Sequence, residues 1–253
     1  MPADDSRKNY GLIVYLHAGG FRTGDKKDDA ATLQYYASKG YVTAGINYTL
    51  NTDDDPGYTI KTMSEEIKKA VPAVVHKAGE LGYPIDEMAI AGGSAGGCLA
   101  LLYAYKDAAE APVPVKLVFE GVGPSSFYPE DWKSYGLDKD HKVAADLFSY
   151  MTGKNITEDL FDTQAYDELM KDVSALLWVD ENTVPTVMAY GKHDSFQPYE
   201  GSVRLDEALT KAGVDHKYFV LEHSGHGLQN DTKVFGAYLD TVEEYLARYM
   251  PIK

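Results

Sequence analysis

The 253 residues suit one large α/β domain or two small ones, and an apolar fraction of 44% is enough to bury a sizeable core. A formal charge of −15 leaves nothing to neutralise phosphates, which argues against nucleic acid as a partner and equally against an anionic membrane surface. Cys98 is the single cysteine, so neither an intrachain disulfide nor a cysteine-based zinc site can form; the sequence shows no signal peptide and no apolar run long enough to span a bilayer, which points to the cytoplasm, with secretion of a longer precursor left open.

Short β-rich runs alternate with longer helical patterns. The first strand, residues 11–17, leads into His17-Ala18-Gly19-Gly20-Phe21. A helical stretch at 29–39 and a strand at 41–47 follow. The acidic cluster Asp53-Asp54-Asp55 reads as solvated surface. Helical spacing resumes over 60–81, with Pro72 inside it. A proline there removes a backbone hydrogen bond and costs roughly 3 kcal/mol, so the spacing predicts two helical pieces meeting at that point. The strand at 87–92 runs directly into Gly92-Gly93-Ser94-Ala95-Gly96-Gly97 and a helix at 95–106. A strand at Val115–Gly121 precedes residues 124–180, which hold no convincing strand but many aromatics, among them Phe127, Tyr128, Trp132, Tyr135, Phe148, Tyr150, Phe161, Tyr166 and Trp178. A long aromatic insertion after a strand reads as an ordered cap over the strand ends; the alternative is an excursion whose aromatics merely pack on the core. Strands at 184–190 and His216–Leu221 flank a helix at 200–212. The last helix, 231–249, carries Val234, Phe235, Tyr238, Leu239, Val242, Tyr245, Leu246 and Tyr249 at helical spacing. The alternation implies a single α/β domain over residues 1–253, with a mostly parallel sheet of about six strands, helices on both faces and ligands at the carboxyl ends of the strands.

A serine between small residues at a strand-to-helix junction is the pattern of a nucleophile elbow. The turn is too tight for flanking side chains, so the Ser94 hydroxyl projects from the top of the sheet at the positive end of a helix. Such a serine needs a base, a group to orient it, and donors for an oxyanion. His226, in His223-Ser224-Gly225-His226-Gly227 after the last strand, is the candidate base, with His223 as runner-up. Asp194, in Gly191-Lys192-His193-Asp194, is the candidate acid; Asp180 is the alternative but precedes its strand. The N–H groups of Gly19, Gly20 and Ala95 form the candidate oxyanion hole, and His17 reads as a residue that shapes the loop. No metal site and no cofactor motif accompany them.

At these residues the chain resembles the carboxylesterase and hormone-sensitive-lipase-like α/β-hydrolases. His17-Ala18-Gly19-Gly20-Phe21 with Thr23-Gly24-Asp25-Lys26 resembles their HGGG loop, Ile46-Asn47-Tyr48 the strand end that follows, Gly92 to Gly97 their nucleophile motif, and Gly191 to Asp194 and Gly225-His226-Gly227 their acid and base loops. The chain order Ser94, Asp194, His226 is also theirs. The resemblance implies an α/β-hydrolase fold and hydrolysis of carboxylic esters through an acyl-enzyme, without a cofactor. It implies small acyl or aryl esters as substrates, acetyl and feruloyl esters of plant carbohydrate among them. Alternatives on the same fold are a serine peptidase or amidase and a catalytically silent ligand-binding protein. Ala18 stands where the family has its first glycine. Only ten residues precede the first strand, so the family's leading strands are expected to be absent. The strand at 41–47 then becomes an edge that a second subunit, as in a homodimer, or the N-terminal tail should cover.

Overall fold

The computed structural model describes residues 1–2, 7–54 and 57–252. Asp55 of the acidic cluster and residues 3–6 of the N-terminal tail lie outside the described residues. Six strands form one sheet: β1 (Tyr10–Leu16), β2 (Val42–Ile46), β3 (Ile85–Gly93), β4 (Val115–Gly121), β5 (Thr186–Gly191) and β6 (His216–Leu221). Their order is β2-β1-β3-β4-β5-β6, and every pairing is parallel. Leu12, Ile13, Val14 and Leu16 of β1 are buried although they alternate between faces, as required of a parallel strand covered on both sides.

The helices are α1 (Ala30–Ser38), α2 (Ile60–Glu80), α3 (Ala95–Leu102), α4 (His141–Thr152), α5 (Gln164–Met170), α6 (Tyr199–Ala212) and α7 (Thr232–Tyr249). Phe119 of β4 packs on Tyr36 of α1 and borders one cleft with Tyr238 of α7. The next residue, Glu120, approaches Gly97 of α3. Successive side chains of a strand point to opposite faces, so α1 and α7 cover one face and α3 the other. On α7, Tyr238, Val242, Tyr245 and Leu246 are buried, but Leu239 of the expected apolar stripe is exposed.

The expected break at Pro72 is corrected: α2 is one helix with Pro72 inside it. Thr59 and Thr62 close a capping box at its start, and Ile60, Met63, Ile67 and Val71 are buried along one side. Pro72 itself is exposed. The carbonyl one turn earlier, which loses its partner, therefore lies on the side open to water, where solvent replaces the bond while the buried side holds the helix together. The helix expected over 95–106 is shorter, because α3 ends at Leu102 and continues as a wider π turn, Tyr103–Asp107.

Residues 124–180 hold α4, α5 and short 3₁₀ turns and no strand. Most of their aromatics pack on one another: Phe148 meets Phe127, Trp132 and Phe161, and Phe161 meets Tyr166. An ion pair anchors this cluster, with Arg204 of α6 donating to both carboxylate oxygens of the buried Asp131 at 2.6 and 2.8 Å. Among the described residues β2 pairs with β1 and with no other strand. Among the described residues no helix is long and apolar enough to cross a membrane, and no cluster of His, Cys, Asp or Glu could hold a metal ion.

Candidate active site

The register aligns the strand ends at one rim: Leu16 faces Ile46 and Gly92, Gly93 faces Gly121, Gly121 faces Ala189, and Gly191 faces Leu221. The loops that leave this rim carry all the candidate residues.

Ser94 lies between the end of β3 and the start of α3 at φ 54° and ψ −121°. A positive φ in a non-glycine residue is strained by about 1–3 kcal/mol and persists only where its surroundings over-determine it. Ser94 N–H donates to Gly121 O at 2.8 Å, and Ser94 O accepts the Cys98 N–H at 3.0 Å. The flanking glycines are steric necessities. A Cβ on Gly96 would lie 2.0 Å from Leu16 O, and one on Gly92 would lie 2.4 Å from Gly96 O. The elbow is thus pressed against the end of β1.

Ser94, Asp194 and His226 come together. His226 Nε2 is 2.9 Å from Ser94 Oγ, and its Nδ1 is 2.7 Å from Asp194 Oδ2. An Nδ1–H that donates to the carboxylate leaves the Nε2 lone pair to accept the serine proton. Asp194 is buried, and its other oxygen accepts the N–H groups of Phe196 and Gln197 at 2.8 and 2.9 Å. The acid and base loops dock directly. His193 N–H donates to Ser224 O at 3.0 Å, and a Cβ on Gly191 would lie 2.2 Å from Gly225 O.

His223 does not reach the serine. Its Nδ1 pairs with Asp231 at 2.8 Å, and the side chain is 81% exposed. Asp231 also accepts from His223 N–H and Ser224 Oγ, and these hydrogen bonds hold its carboxyl below the usual carboxylate range. Asp231 therefore ties the base loop to the start of α7, a role that its place in the sequence announced only as a helix start. His223→Ala should change ester hydrolysis by no more than about twofold, the scale of an ordinary surface substitution, whereas His226→Ala should abolish it; steady-state rates of the two variants check this. Asp180 precedes β5 and accepts the Asn182 N–H in a local turn, away from the imidazole.

Gly19 and Gly20 lie at φ 128° and 59°. Among the described residues, the N–H groups of Gly19, Gly20 and Ala95 have no hydrogen-bond acceptor. All three residues border the same cavity as Ser94 and His226. His17 is buried beneath the loop, stacked on Tyr48 with ring centroids 4.3 Å apart, and its Nδ1 lies 2.7 Å from Ala18 O. Tyr48 Oη donates to His17 O at 2.7 Å. The imidazole shapes the loop and does not face Ser94. Ala18 also borders the cavity, so the residue that departs from the HGGG pattern leaves both following glycines in place.

The cavity has a volume of about 580 Å³, and Trp132, Tyr135, Leu147, Met151 and Phe196 give it apolar walls. Four of these come from residues 124–180. Tyr135 Oη donates to Ser195 O and Phe196 O at 2.8 and 2.9 Å, which joins that segment to the acid loop. Burial and the nearby Asp194 carboxylate push the Tyr135 phenol up. These wall residues were individually illegible beforehand, because an aromatic in a helical segment gives no sign of whether it meets its neighbours or a cavity.

The chain is similar in fold to esterase Est2 of the planctomycete Thermogutta terrifontis. In its native form the TM-score is 0.75 at 20% identity, over 99% of this chain and 86% of that one. The butyrate-bound form gives 0.75 at 21%, over 99% and 88%, and the form phosphoramylated by tabun 0.75 at 19%, over 99% and 88%. No curated protein matches this chain significantly. The BD-FAE family model matches residues 1–209, a stretch that includes Gly19, Gly20, Ser94 and Asp194. The chain therefore belongs to the BD-FAE family of α/β-hydrolase-like esterases.

Proposed function

We propose that this protein is a serine carboxylesterase that hydrolyses small acyl or aryl esters through an acyl-enzyme, acetyl and feruloyl esters of carbohydrate among them. The observation that carries this reading is the chain Ser94–His226–Asp194, with contacts of 2.9 and 2.7 Å, opening into an apolar cavity beside Gly19, Gly20 and Ala95. That a structural neighbour binds propionate and butyrate, and is modified by organophosphorus compounds, supports a short acyl chain on an activated nucleophile.

The substrate ester lies in the cavity with its carbonyl oxygen toward Gly19, Gly20 and Ala95. His226 Nε2 takes the Ser94 proton as Oγ attacks the carbonyl carbon, and Asp194 stabilises the imidazolium that forms. The three N–H groups receive the negative charge on the carbonyl oxygen, each worth about 3–4 kcal/mol in the transition state. Collapse of the tetrahedral intermediate expels the alcohol with the proton returned by His226. Water, deprotonated by the same imidazole, then attacks the acyl-enzyme and releases the acid and free Ser94.

Hydrolysis of p-nitrophenyl acetate, butyrate and octanoate and of a feruloyl ester, alongside labelling by a fluorophosphonate probe, tests the reading. The expected result is labelling of Ser94 and a preference for acetyl, butyryl or feruloyl over octanoyl. Absence of both labelling and turnover would favour a silent binding protein, and faster cleavage of aminoacyl anilides an amidase. The β2 edge is the further proposed partner surface, for a second copy of this chain; sedimentation of a monomer only would remove that proposal.

A further inference from the structure

Glu120 is a fully buried carboxyl one residue before the end of β4, and the reaction steps above make no use of it. We propose that Glu120 is a positioning residue for the nucleophile, its carboxyl holding the turn at residues 121–123 that fixes the backbone of Ser94. The inference rests on the reading of Ser94 as nucleophile.

Oε2 of Glu120 accepts the Gly123 N–H at 2.8 Å. Gly121, between them, accepts the Ser94 N–H at 2.8 Å. Val122 lies at φ 52° and donates to Ala189 O at 2.9 Å. Tyr190 Oη donates to Gly123 O at 2.6 Å. Every residue of the turn is thus tied down, two of them to the ends that matter: the carboxyl on one side and the elbow on the other. The carboxyl is also wedged against the first turn of α3. A Cβ on Gly97 would lie 2.9 Å from Oε2, and one on Gly123 would lie 2.8 Å from Oε2 and 2.7 Å from Cys98 N. A strained serine needs surroundings that admit one backbone conformation, and a displacement of the reacting atom by about 1 Å is enough to lower a rate roughly 10²-fold.

The charge state of this carboxyl bears on the same site. Burial pushes it up to about 8, against the opposing effect of the Gly123 N–H. The titratable groups on its own side of the sheet are Cys98 of α3, Tyr105 of the π turn and Tyr190 of β5, while Tyr15 of β1 and Tyr238 of α7 act on it from across the sheet. All are pushed upward by burial, away from the neutral range. At neutral pH Glu120 is therefore a neutral acid. Above about pH 8 it becomes an anion against the first turn of α3, the turn that begins at Ala95, and two negative charges in a low-dielectric interior oppose each other.

Glu120→Gln and Glu120→Ala, with p-nitrophenyl acetate as substrate, test the proposal. Glu120→Gln keeps the acceptor for Gly123 and cannot ionise. The wild type should lose kcat above about pH 8, whereas Glu120→Gln should hydrolyse at near wild-type rate at pH 7 and keep that rate through the alkaline range. Glu120→Ala removes the prop and should lower kcat roughly 10²-fold with KM little changed, and slow fluorophosphonate labelling in parallel. A folded Glu120→Ala enzyme with wild-type kcat would overturn the proposal. If that variant does not fold, an unchanged alkaline fall in Glu120→Gln would overturn it instead. Ser94→Ala in the same assays separates the two readings: retained turnover sinks the nucleophile assignment, whereas a dead Ser94→Ala beside a fully active Glu120→Ala sinks only the role of Glu120.

Discussion

Ser94→Ala should lower kcat for p-nitrophenyl acetate by a factor on the order of 10⁴–10⁶, with the fold intact. The substitution removes the attacking oxygen and the group bonded to His226 Nε2. It keeps the Cβ, so alanine meets the same backbone strain at φ 54° as serine does. The Gly121 and Cys98 hydrogen bonds run through the Ser94 backbone and survive. The cavity and the free N–H groups of Gly19, Gly20 and Ala95 also remain, so a small rate above that of water should persist. Steady-state kinetics beside a thermal melt check this. Turnover close to wild type would show that another residue is the nucleophile.

Gly96→Ala should be severely damaging, and Gly93→Ala, three residues earlier in the same motif, should be nearly silent. A Cβ on Gly96 would lie 2.0 Å from Leu16 O and 2.7 Å from His17 O. Both are backbone atoms at the end of β1, so relief requires moving the strand that carries the oxyanion loop. Overpacking of this kind costs typically 1–3 kcal/mol, more where backbone must shift, and it displaces the elbow and the loop together. A Cβ on Gly93 meets nothing nearer than 4.0 Å. Urea denaturation and kcat of the two variants make the comparison. Equal stability of both would mean that α3 does not press on β1 as described. The motif reads as a run of glycines, but the two flanking positions are steric and the one beside the serine is not.

Much of the architecture was legible because hydrophobic periodicity is a local property. The strands at Val115–Gly121 and His216–Leu221 fall where the apolar runs place them, and the others lie within two residues. Pro72 misled because its cost was read from the chain alone, whereas the exposed side of α2 lets water satisfy the carbonyl that it frees. Glu120 is the converse case. It stands inside an apolar run that reads as a fully buried strand, and a charged residue there was a signal of an internal partner, but nothing nearby in the chain named Gly123 or the elbow as that partner.

The sequence alone determined which residues stand as candidates for the chemistry, since small residues around Ser94, glycines before Phe21 and a polar residue after each strand are demanded by turns only a few residues long. Tertiary structure decided how those residues meet. Parallel pairing in register brings the strand ends to one rim, close enough for Asp194, His226 and Ser94 to be joined by two hydrogen bonds across gaps of 32 and 132 residues. It also decided which aromatics of residues 124–180 wall the cavity and which pack on each other, because burial depends on neighbours distant in the chain, and no local pattern encodes that choice.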